Sequence, residues 1–182
     1  MSRNRLRHIA PLLALMILGL SAMLPGCSVV GCLENQSSVP LAGFYSYTTG
    51  SAITVDSIWV YGVGARGDSM LNTSLRASTV YLPFRSEMQT TSFAFRYLQH
   101  NLDYPELIDT ITFEYTSMPR FVSEECGAMY FYEITGMSHT SHLIDSVAVT
   151  DSLINNFDIQ RIKIFFRTAE PDVYSSSTSL PL

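Results

Sequence analysis

Hydrophobic and polar residues alternate with a period of two along most of this chain, and helical periodicity is absent. Residues 41–48 (LAGFYSYT) and 53–61 (ITVDSIWVY) read as strands rich in aromatic and β-branched residues, turned by Gly50-Ser51. Over residues 79–84, Val80, Leu82 and Phe84 share a face. Over residues 92–97, Phe93, Phe95 and Tyr97 share a face with Arg96 opposite. Over residues 110–116, Ile111, Phe113 and Tyr115 oppose Thr110, Thr112 and Glu114. Residues 129–134 are apolar on both faces, the pattern of a central strand. Residues 145–150 predict a short strand. Residues 159–167 close the series, with Ile162, Ile164 and Phe166 inward and Arg161, Lys163 and Arg167 outward. One helical turn is expected near residues 105–108.

Some eight short strands punctuated by turns predict an all-β fold, a single antiparallel β-sandwich of immunoglobulin-like or related kind. A closed barrel is the alternative.

The N-terminus breaks this pattern. Arg3, Arg5 and Arg7 precede an apolar run over residues 9–23, which ends in Leu24-Pro25-Gly26-Cys27. A basic segment, a short apolar segment and small residues before a cysteine make a bacterial lipobox. Signal peptidase would cut before Cys27, whose thiol would carry diacylglycerol. An uncleaved anchor helix is the competing reading, although the run is short for a span of about 20 residues. The expected organisation is a signal peptide over residues 1–26, a lipidated tether over 27–38, the sandwich over 39–168 and a disordered Ser/Thr/Pro tail over 169–182.

Composition narrows the partners. The chain carries 11 basic and 16 acidic residues, and loss of the three leader arginines leaves a net charge of −8. An acidic surface without a basic cluster argues against nucleic acid and against electrostatic docking on anionic lipid. Membrane attachment is then expected through the acyl chains at Cys27, two of which anchor stably. Ser28 is not the acidic residue of inner-membrane retention, so the expected location is the outer membrane, facing the periplasm.

Three cysteines raise a parity question. With Cys27 lipidated, Cys32 and Cys126 remain as a disulfide pair, the expected state beyond the inner membrane. Lipid on Cys32, in Val29-Val30-Gly31-Cys32, would instead leave Cys126 odd. Two reduced buried cysteines are the further alternative.

The candidate chemistry is sparse. Gly62-Val63-Gly64-Ala65-Arg66-Gly67 fits G-x-G-x-x-G, but no helix follows to hold a pyrophosphate, so the stretch reads as a glycine turn. His139 and His142 are spaced H-x-x-H in a polar stretch and would need further ligands such as His100, Glu124 or Glu125 to hold a metal. That makes a metal-dependent hydrolase the least favoured class. Glu124 and Glu125 are adjacent, so on a strand they point to opposite faces. No nucleophile elbow is present. Trp59 and Tyr61, with Tyr45, Tyr47, Tyr130 and Tyr132, are candidates for an aromatic platform under a sugar or other small ligand. Ser69, in Asp68-Ser69-Met70, is a candidate O-glycosylation acceptor. Asn72-Thr73-Ser74 is a sequon. The expectation is a non-catalytic binding or structural module with no cofactor and no metal.

Cys32-x-x-Asn35, Ala42-Gly43-Phe44-Tyr45, the stretch from Trp59 to Gly64 and Glu125-Cys126-Gly127 together give the chain a family likeness. It resembles small Gram-negative lipoproteins grouped as a domain of unknown function. The resemblance implies a Cys32–Cys126 pair, an all-β domain and, as partner, an outer-membrane β-barrel protein. It implies no catalytic residue.

Overall fold

In the computed structural model, which describes residues 38–65, 70–99, 104–124 and 127–168, the alternation resolves into nine strands. They are β1 (Leu41–Ser46), β2 (Ile58–Gly62), β3 (Thr79–Tyr81), β4 (Thr90–Tyr97), β5 (Asp109–Ser123), β6 (Gly127–His139), β7 (Ile144–Val149), β8 (Leu153–Ile154) and β9 (Gln160–Phe166). A single 3₁₀ turn, Pro105–Leu107, stands where a helical turn was expected. No helix among the described residues is long and apolar enough to cross a membrane. The expected signal peptide, the tether up to residue 37 and the tail lie outside the described residues, as do Cys27, Cys32, Ser69 and Cys126.

The strands form two sheets, ordered β3-β1-β9-β7 and β2-β4-β5-β6-β8. Their apolar faces meet, which makes the fold all-β and sandwich-like. One pairing departs from the antiparallel expectation: β1 and β9 run parallel, with Phe44 opposite Ile164. A parallel pair needs a long crossover, and here almost the whole domain separates the two strands.

The inward parity is the one read from the sequence. Val80, Phe93, Phe95, Ile111, Phe113, Tyr115, Ile162, Ile164 and Phe166 are all buried. Phe84 lies 4.3 Å from Tyr115, their rings stacked at 4°. The Tyr115 hydroxyl donates to the Arg85 carbonyl and shares a 2.6 Å hydrogen bond with Thr91 Oγ1, so its polar end is satisfied.

Four expectations are corrected. The second strand begins only at Ile58; before it, Ala52 and Val55 make isolated bridges. That start is marked by Ser57, which adopts φ +55°. Arg161 is buried rather than outward, because Asp151 takes its Nε at 3.1 Å. The stretch 129–134 lies within a 13-residue strand whose outer neighbour β8 covers only Tyr132 and Glu133. His139 ends that strand instead of lying in a loop.

The hairpin of β5 and β6 therefore outgrows its sheet. The β4 ladder stops at Glu114, whereas β5 and β6 stay paired from Ile111↔His139 to Ser123↔Gly127. Among the described residues, the far half of the hairpin is a two-stranded arm. Pro119 has no amide to offer a further strand, which blunts that side of β5. The arm carries one charged residue, Arg120, between Ser117 and Ser123 and none between Gly127 and Tyr132. Phe121 is 72% exposed and Tyr130 44%.

Candidate functional site

The densest polar cluster among the described residues is built around Asp109, the first residue of β5. Alternation places it on the inward face with Ile111, Phe113 and Tyr115, and it is wholly buried. It stands opposite Phe95 in the β4–β5 ladder, so Tyr97, two residues along the same face, is its diagonal neighbour. The Tyr97 hydroxyl donates to Oδ2 at 2.7 Å. Four donors come from the turn after β6 and the first residue of β7. Thr140 Oγ1 and the His142 amide reach Oδ1 at 2.9 and 2.8 Å. The Leu143 and Ile144 amides reach Oδ2 at 2.7 and 2.9 Å. Both carboxyl oxygens thus act as acceptors that fix the β6–β7 turn. Burial, then the Asp109 charge and hydrogen bond, push the Tyr97 hydroxyl far above the usual phenol range.

A cleft of about 420 Å³ opens beside this cluster. Ile53, Val55, Tyr97, Leu143 and Phe166 supply its apolar wall, and Arg167 stands among its polar lining residues. The guanidinium is already engaged. Nε meets Asp145 at 3.1 Å, and Nη1 donates to the Ser141 and His142 carbonyls. The cleft has the size of a small-molecule site, but its cation serves the same turn that Asp109 holds.

The residues singled out from the sequence fall elsewhere. Trp59 and Tyr61 neighbour each other on edge strand β2, with rings 6.0 Å apart at 62°. Both are half-buried, and the Trp59 Nε1 is buried without a hydrogen-bond partner. An edge-to-face pair with a buried indole nitrogen is not the coplanar surface a sugar ring stacks on. His139 Nδ1 lies 2.8 Å from the Thr140 carbonyl, and His142 offers its backbone to Asp109. Among the described residues no three His, Cys, Asp or Glu side chains gather to hold a metal. Asn72, of the sequon, is buried and bridges Val60 N, Ile58 O and Ser74 O. Gly62 closes β2, and Gly64 adopts φ +72° in the turn after it, while residues 66 and 67 of the glycine motif lie outside the described residues. The Asp109 cluster was missed by sequence reading, although an acid at an inward position of a strand was its available signal.

A two-sheet all-β module with a buried carboxylate hub is thus the class that fold and site define. The chain belongs to the Family of unknown function (DUF6452), whose model matches residues 57–166. The matched span runs from the entry of β2 to the end of β9 and leaves out β1, the parallel partner of β9. No curated protein and no solved structure matches the chain.

Proposed function

We propose that this protein is a lipid-anchored envelope protein, with signal peptide 1–26 removed, diacylglycerol on Cys27, and the sandwich held at the outer membrane on the periplasmic side. In this reading the sandwich is a non-catalytic binding or structural module of an envelope assembly. The observation that carries the reading is Leu24-Pro25-Gly26-Cys27 behind a basic and apolar leader. Eleven residues then lead from Cys27 to Ser38, the first described residue, enough for a tether of up to roughly 40 Å.

Cys32 and Cys126 form a disulfide in the same reading. Ser38 Oγ donates to Met129 Sδ at 3.4 Å, which supports it. Cys32 precedes Ser38 by six residues and Cys126 precedes Met129 by three, so neither needs more than roughly 20 Å of chain to meet. The two thiols lose two protons and two electrons to an oxidising disulfide of the envelope, which is reduced to its dithiol.

Mass spectrometry of the mature N-terminus tests both parts. A diacylglyceryl or triacylated Cys27, with Cys32 and Cys126 resistant to alkylation until reduced, is the expected result. An unmodified N-terminus retaining residues 1–26 would overturn the anchor.

A further inference from the structure

We infer that the arm formed by the far halves of β5 and β6 is the membrane-facing element of the domain, with Phe121 and Tyr130 seated in the lipid–water interface. The inference rests on the anchored reading above and adds a second contact to it. The chain enters the described domain at Ser38, whose hydroxyl touches Met129 on this arm, on the face opposite Phe121 and Tyr130. Whatever tether precedes Ser38 therefore arrives at the arm, and a lipid on Cys27 would lie within eleven residues of it.

The chemistry of the arm suits that position. Phe121 pairs with Ala128 and Pro119 with Tyr130, so Pro119, Phe121 and Tyr130 share one face of the ladder. Phe121 is the most exposed large apolar residue described. Exposed aromatic side chains are the composition of interfacial anchors, and Arg120, paired with Met129, lies on the opposite face of the arm. A stable protein interface takes about 800 Å² from each partner, whereas two aromatic rings supply at most roughly 300–500 Å². That area is too small for an independent protein dock, but it suffices for a contact the anchor keeps at high local concentration. Exposed Glu124 follows at the end of β5, and the mature chain is acidic, so the surface sought is zwitterionic rather than anionic.

The test uses the full mature chain, lipidated at Cys27, on phosphatidylcholine vesicles with brominated acyl chains. The Phe121→Trp variant should lose at least half its added tryptophan emission to bromine quenching, while the parent, reporting from Trp59 on edge strand β2, should not. The same variant on vesicles rich in phosphatidylglycerol should be quenched no more strongly. Unquenched F121W on protein that still floats with the vesicles overturns the inference and leaves the anchor standing. Protein that does not float overturns both. A photo-crosslinker at position 121, used in native envelopes, should yield lipid adducts. A discrete protein adduct without lipid overturns the inference in favour of a protein partner.

Discussion

Tyr97 and Asp109 meet 2.7 Å apart at the inner face of one sheet, and the turn after β6 hangs on that carboxylate. Removing Asp109 would strand a buried phenol, a threonine hydroxyl and three amides at once. Each buried donor left without a partner costs about 1–3 kcal/mol, although the turn can relax toward water. Asp109→Ala should therefore lower stability by about 3 kcal/mol or more. Urea unfolding would show it as a lower midpoint at an unchanged slope. A loss under 1 kcal/mol would contradict the hub.

The same pair sets an alkaline limit. An unfolded tyrosine ionises near pH 10, whereas folded Tyr97 holds its proton well above that. Its contribution is fully present below pH 10 and drains away as the pH rises from there toward the folded value. Stability should fall between about pH 10 and 11.5 more steeply in the parent than in Tyr97→Phe. The variant, short of one buried hydrogen bond, should start lower at pH 7 by about 1–2 kcal/mol. Parallel slopes would remove Tyr97 from the account.

Much of the fold was legible because a sandwich buries one parity of each strand. Phe93, Phe95 and Tyr97, or Ile162, Ile164 and Phe166, announce their face in the sequence. The arm did not announce itself. Met118, Phe121 and Val122 fall at both parities around Pro119 and Arg120, so no period of two marks β5 as continuing past residue 116. Arg161 looked outward because its neutralising Asp151 lies ten residues away across a turn. Asp109 stands one step before the strand read over residues 110–116, and its donors sit more than thirty residues later, a range of pairing not written in local spacing. The parallel β1–β9 contact was illegible for the same reason.

Gly43 gives a test of packing between the first and last strands. A β-carbon there would collide with the side-chain amide of Gln160, which crosses the glycine to donate to the Tyr45 hydroxyl at 2.7 Å. The obstacle is the end of a flexible side chain, so it can move, at the cost of that hydrogen bond. Gly43→Ala should destabilise by about 1–2 kcal/mol. Adding it to a Gln160→Ala background should cost measurably less, a coupling of at least about 0.5 kcal/mol. Strict additivity in thermal unfolding would show that Gln160 does not account for the glycine.

Asp151 supplies the acid limb. The Leu153 amide first, and then the Arg161 guanidinium, hold its carboxyl below the usual carboxylate range. The unfolded carboxyl titrates near pH 3.9. Because the folded value is the lower one, the contribution is present above pH 4 and disappears as the pH falls through the folded value. Asp151 is more than half exposed while Arg161 is nearly buried, so solvent screens the ion pair and the larger effect is structural. Losing the carboxylate leaves a buried guanidinium with one acceptor fewer. Asp151→Asn should therefore be less stable than the parent at pH 7, and the difference should narrow as both are titrated from pH 5 to pH 2.5. A gap that stays constant across that range would mean that the charge of Asp151 does not hold Arg161 in place.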